Sequence, residues 1–127
     1  MSKSRVAIIS GGPSSEHLVS LLSGEMVFKH LPPRYSGMPV IISRNGQWKF
    51  GKATPVSMVD ALKKLRAFDI AFIALHGSFG EDGTIQALLE SVGVPYTGSG
   101  PAASALAMNK HLSNLVFQVG GLWLKKP

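Results

Sequence analysis

The sequence predicts an α/β fold: a Rossmann-like three-layer sandwich on a mainly parallel sheet. Three observations carry that expectation. Short apolar, β-rich runs alternate with helical patterns along the chain. The runs are too continuously apolar for a half-solvated sheet and suit strands covered on both faces. Glycine-rich loops follow them directly, as in a sheet whose crossovers are helices.

Val6-Ala7-Ile8-Ile9 reads as the first buried strand, stopped by Gly11-Gly12. Ser14 and Ser15 offer N-cap oxygens to a helix with Glu16 in its first turn. Leu18, Leu21, Leu22, Met26 and Phe28 then recur at mostly helical spacing until Pro32-Pro33 ends the helix. Pro39 to Ile42 is a strand, Asn45-Gly46 a hairpin turn, and Gln47 to Phe50 its return arm. Ser57 to Ala67 is an amphipathic helix with Met58, Val59, Leu62 and Leu65 inward. Asp69 to Leu75 reads as a central parallel strand. Thr84 to Val92 places Ile85, Leu88, Leu89 and Val92 on one helical face and stops at Gly93. Val94 to Thr97 is a short strand, and a last helix runs from Ala102 to Val119, with Gly120-Gly121 ending it. In such folds ligands sit beyond the carboxyl ends of strands. The loops 10–16, 76–83 and 97–101 are therefore expected to share one edge of the sheet.

The chain has 127 residues, enough for one domain. Hydrophobic content of 45% against 16% charged excludes a disordered chain. The absence of cysteine removes disulfides, thiolate metal sites and cysteine nucleophiles, and fits a reducing compartment. No apolar stretch nears the ~20 residues of a membrane span, and the N-terminus lacks a signal peptide's apolar region. A soluble, cytoplasmic protein is expected. The net charge of +6 is scattered apart from Lys63, Lys64 and Arg66, which fall at a helix end where cations suit the dipole. No aromatic–basic interleaving marks a nucleic-acid surface.

Ser10-Gly11-Gly12-Pro13-Ser14-Ser15-Glu16 is a strand-to-helix loop that lets backbone approach a ligand. It lacks G-x-G-x-x-G and the P-loop Gly-Lys-Ser/Thr, which argues against a dehydrogenase or Walker site. Glu16 has two readings: an acid complementing the helix dipole, or a carboxylate that binds a substrate ammonium. His76 to Gly83 packs His, Glu, Asp and glycines into eight residues after a buried strand. Position favours a ligand-facing His76, with Glu81 and Asp82 capping the next helix. A metal site lacks a partner ligand set, and none is expected. Lys110 lies mid-helix, where a solvated lysine is the default; His17, His30 and His111 read as ordinary helix residues.

The run from His76 to Ala87 resembles the first signature of the D-alanine–D-alanine ligases. Gly11 to His17, followed by Val19-Ser20, resembles that family's N-terminal loop. Pro95-Tyr96-Thr97-Gly98-Ser99-Gly100 and then Ala103 to Lys110 are similar to its third landmark. The resemblance covers almost all of this chain but only the family's first, pre-ATP-grasp domain. Residues 1–121 would form that substrate-binding domain and 122–127 the start of a linker. The family joins two D-alanines with ATP and Mg²⁺, through an acyl phosphate on the first, to make the peptidoglycan dipeptide. The resemblance implies that Glu16 helps hold the ammonium of the first D-alanine, that His76 lies beside that substrate, and that Lys110 reaches the ATP phosphates. It implies partnership with an ATP-grasp region and a homodimer through this domain.

The Mg²⁺ carboxylates and most nucleotide contacts belong to the family's ATP-grasp domains. This chain alone is therefore expected to be inactive and to bind no cofactor tightly. The alternative is a stand-alone binding or dimerisation module without catalysis. Two departures from the family pattern stand out: Asn109 replaces the usual Asp before the lysine, and Leu122 to Pro127 is less proline-rich than the usual exit.

Overall fold

The computed structural model describes residues 2–122. The elements are β1 (Ser4–Gly11), α1 (His17–His30), β2 (Tyr35–Ile42), β3 (Trp48–Phe50), α2 (Met58–Leu65), β4 (Ile70–Ile73), α3 (Thr84–Ser91), α4 (Pro101–Met108) and α5 (Lys110–Val119). One sheet runs in the order β3-β2-β1-β4. β1 pairs parallel with β2 and with β4, and the hairpin arm β3 is antiparallel to β2. The expected α/β architecture is present. The segment from Trp123 onward, which holds nearly all of the expected linker, lies outside the described residues.

β1 is the central strand because both its faces are buried. Ala7 and Ile9 join Val40, Ile42, Trp48, Ala71 and Leu75 in the main core, closed by Ala61 and Leu65 of α2 and Ile85 and Leu89 of α3. On the other face α1 comes close enough that a Cβ at Gly24 would lie 2.6 Å from Ser10 Cβ. Small residues on the inner face of a helix permit that approach.

Four expectations are corrected. α1 turns Ser20 and Gly24 to the sheet, while Leu18, Leu22 and Met26 are more than half exposed. Its apolar spacing therefore marks an outer face, because only small side chains fit against β1. In α2, Leu65 is buried and Leu62 packs against the core as expected, but Val59 points to solvent, Met58 is 39% exposed, and Ala61 is buried in their place. β4 is the last strand of the sheet rather than a central one. Beyond it, residues 95–97 make only a single bridge, Ala71 to Tyr96. The ladder there ends where the N–H of Ile73 finds the hydroxyl of Thr97, at 3.1 Å, instead of a backbone carbonyl. Finally, the expected single helix from Ala102 to Val119 is two, broken at Asn109, whose φ of −95° and ψ of 96° are extended. The Asn109 side chain accepts from the N–H of Leu112 at 3.0 Å and starts a new helix.

Candidate functional site

The three glycine-rich loops meet beyond the carboxyl ends of β1 and β4, as expected from parallel pairing. Ser14 is the tie between the first two. Its Oγ donates to the carbonyl of His76 at 2.7 Å and accepts from the N–H of Glu16 at 3.2 Å. Ser14 therefore serves the loop rather than capping α1. Glu16 is the N-cap residue, one position before the first turn, and its side chain makes no capping hydrogen bond. Among the described residues no cation pairs with its carboxylate.

Glu16 and His76–Gly77 come together across the two loops. Gly77 has φ of +75°, and a Cβ there would lie 2.8 Å from Glu16 Oε2 and 3.1 Å from Ser14 Oγ. The absence of a side chain at 77 is what lets the Glu16 carboxylate lie over the loop. The Gly11 N–H is held by Ser20 Oγ at 2.8 Å, and the same hydroxyl donates to the Ala74 carbonyl at 2.7 Å. One buried serine of α1 thus locks the ends of both loops to the helix.

The His76 ring is contacted from two sides. Ser23 Oγ lies 2.8 Å from its Nε2, and Glu81 Oε1 lies 3.9 Å from its Nδ1. Glu81 Oε2 accepts from the N–H of Gly77 at 3.0 Å. Asp82 accepts from the N–H groups of Phe79 and Thr84 at 2.9 and 3.0 Å. Burial pushes the Asp82 carboxyl up, but these hydrogen bonds outweigh it and leave the group below its ordinary value. They also hold Phe79 at φ of +72°, the one positive value at a non-glycine among the described residues. Glu81 thus shapes the loop, while Asp82 does so and also accepts from the first N–H of α3, as expected of a capping acid.

His76 and Glu81 line an open recess of about 370 Å³. Thr97 and Ser99 of the third loop and Ser104 and Ala107 of α4 form its other wall. Gln86 lies at its base, donating from Nε2 to the Gly80 carbonyl at 2.8 Å. Its buried Oε1 has no hydrogen-bond partner among the described residues.

Lys110 is not mid-helix, as expected, but the first residue of α5, with an exposed side chain. It does not line the recess. A cation at the positive end of a helix costs roughly 0.3–1 kcal/mol, unless an anion binds there. Among the described residues no cluster of three His, Asp or Glu side chains could hold a metal ion.

Sequence reasoning overlooked Ser14 as an interloop tie, named Ser20 only within the family resemblance, and missed Ser23 altogether. The signal was available in the small residues Ser20, Ser23 and Gly24, which recur at helical spacing on one face of α1.

Among known proteins, a family model described as "D-ala D-ala ligase N-terminus" matches residues 5–62 and 51–99. A D-alanine–D-alanine ligase of Geobacter sulfurreducens is 45% identical over 119 residues, 93% of this chain and 34% of that protein. The solved D-alanine–D-alanine ligase of Bacillus anthracis complexed with ATP has a TM-score of 0.76 at 34% identity, over 93% of this chain and 36% of that one. The VanG D-Ala:D-Ser ligase of Enterococcus faecalis has a TM-score of 0.84 at 27% identity, over 98% of this chain and 44% of that one. The chain spans between a third and a half of the length of these relatives. A match of this extent on the same architecture admits one conclusion: the chain belongs to the D-alanine–D-alanine ligase family and corresponds to that family's N-terminal region.

Proposed function

We propose that residues 1–121 are the substrate-binding domain of an ATP-dependent D-alanine–D-alanine ligase of peptidoglycan precursor synthesis in the cytoplasm. The observation that supports this most is the Glu16 carboxylate, uncapped and unpaired, lying over Gly77 beside His76. An exposed carboxylate with no cation is a ready acceptor for an amino acid's ammonium. The start of α1 supplies positive character, and the His76 ring a hydrogen-bond donor, for the other end of the zwitterion. Holding both ends of a small substrate orients its carboxylate for reaction.

In the family's reaction, ATP with Mg²⁺ supplies the phosphoryl group that activates the first D-alanine. Lys110 is the residue of this chain suited to the polyphosphate, since the start of α5 and an ammonium favour an anion together. The carboxylates for the metal would come from an ATP-grasp region. The second substrate is left open by these residues, and D-alanine and D-serine both occur in the names of the relatives.

The test is titration of the chain with D-alanine, followed by NMR, against the Glu16→Gln variant. Saturable binding that weakens at least ten-fold in the variant is expected. Equal binding by both would overturn the reading. The 127-residue chain alone should show no turnover with ATP, Mg²⁺ and D-alanine; addition of an ATP-grasp half should restore it, and Glu16→Gln should abolish the restored activity.

A second reading, a homodimer or partner module independent of Glu16 and His76, is favoured by the outer face of α1. There Leu18, Val19, Leu22 and Met26 are all more than half exposed, an unusual patch for a monomer. Sedimentation of the chain and of Leu22→Glu measures it. A dimer lost in the variant supports association through α1, and a monomer in both excludes it.

A further inference from the structure

We infer that Ser23 is the positioning residue of the His76 ring: its hydroxyl donates to Nε2 and holds the imidazole in the tautomer protonated on Nδ1. Ser23 Oγ is 2.8 Å from Nε2, a full hydrogen bond. The distance does not say which partner donates, because a serine hydroxyl can do either. Glu81 decides it. Its Oε1 lies 3.9 Å from Nδ1, and an ionised carboxylate only accepts. A bare Nδ1 lone pair facing that oxygen is repelled, and an N–H is attracted. The ring proton therefore belongs on Nδ1, and the Nε2 lone pair takes the Ser23 hydroxyl.

Two consequences follow for the site. At 3.9 Å the Nδ1–H makes no hydrogen bond to Glu81, so it remains an available donor on the wall of the recess shared by His76 and Glu81. A neutral imidazole with that proton suits a carboxylate oxygen of an amino acid, while Glu16, which lies over Gly77 and outside the recess lining, suits its ammonium. The residue is also held at two points: its backbone carbonyl by Ser14 and its ring Nε2 by Ser23. The loop before α1 thus fixes the His76 backbone, and Ser23 of α1 and Glu81 together fix its ring and proton. The assignment of the donor to a substrate carboxylate rests on the function proposed above; the tautomer itself does not.

The experiment is a long-range ¹H–¹⁵N correlation on the uniformly ¹⁵N-labelled chain, well above the ordinary imidazole range of about 6.5. The His76 signals are expected to show protonated Nδ1 and bare Nε2. Ser23→Ala should lose that pattern and give a mixture of tautomers, and Ser23→Thr, which keeps the hydroxyl, should restore it. A proton on Nε2 in the wild-type chain overturns the inference, whether or not Ser23→Ala folds. So does an unchanged pattern in a folded Ser23→Ala. These readings need no ligand, so they are separate from a failure of D-alanine to bind. If D-alanine binds, Ser23→Ala should weaken it about three- to ten-fold, the loss of one oriented hydrogen bond.

Discussion

The hydroxyl of Ser14 donates a 2.7 Å hydrogen bond to the carbonyl of His76, 62 residues further along the chain. This bond joins the loop after β1 to the loop after β4, and it sets Glu16 and His76 in one place. Ser14→Ala removes it and leaves a carbonyl to be satisfied by water. A loss of about 1 kcal/mol is expected in urea unfolding. A larger proportional loss is expected in D-alanine affinity, measured by titration, because the two loops would no longer share a register.

Gly77 offers a sharper test. Its φ of +75° suits glycine, and a methyl group there would meet the Glu16 carboxylate. Gly77→Ala should destabilise the chain by about 1–2 kcal/mol from backbone strain. The carboxylate is the free end of a flexible side chain, so it moves aside rather than opening the fold. D-alanine binding should therefore suffer in Gly77→Ala, yet adding the same change to Glu16→Ala should cost little further affinity. A double-mutant cycle by titration reads that coupling, and additive losses would refute it.

Asp82 predicts an acid dependence. Its carboxyl titrates below its ordinary value in the folded chain, so the unfolded chain holds that proton more tightly. The stability it contributes is present above the unfolded value of about 3.9, and is lost as the pH falls through the folded value. Asp82→Asn removes the titration. The stability gap between wild type and variant should therefore be widest near neutral pH and narrow towards pH 3, in parallel urea unfolding series.

The break at Asn109 makes two opposite predictions for adjacent residues. Asn109→Ala removes the cap on α5 and should cost about 1 kcal/mol, while Asn109→Asp should be neutral or better. The departure from the family's Asp is thus harmless to the helix. Lys110→Glu should stabilise the chain by a few tenths of a kcal/mol, because an acid suits a helix start. The same change should weaken polyphosphate binding once an ATP-grasp half is supplied. Thermal unfolding checks the first effect, and nucleotide titration of the assembled protein checks the second.

Much of the fold was legible. A parallel strand was readable at β1 because a strand buried on both faces is apolar throughout, and Asn45-Gly46 marked the hairpin because its turn requires glycine-like backbone. The helix α3 was readable from Ile85, Leu88, Leu89 and Val92. The placement of α1 was not. Apolar spacing at Leu18, Leu22 and Met26 marks a face without saying what it meets, and a helix packed closely on a sheet must use its smallest residues there. The edge position of β4 was hidden for a related reason: it depends on what lies beside the strand, which local pattern does not encode. The break at Asn109 is a local cap, masked by helical spacing on both sides of it.

The candidate site divides in the same way. The sequence by itself determined the three loops, their order and their chemistry, because glycines, a histidine and a lone acid after buried strands have few other uses. Only the tertiary structure decided that Glu16 lies over Gly77, that Ser14 ties it to His76, that Ser23 reaches the ring, and that Lys110 begins a helix. The contacts of Glu16, Ser14 and Ser23 join residues far apart in the chain, and the parallel pairing of β1 with β4 is what makes them neighbours.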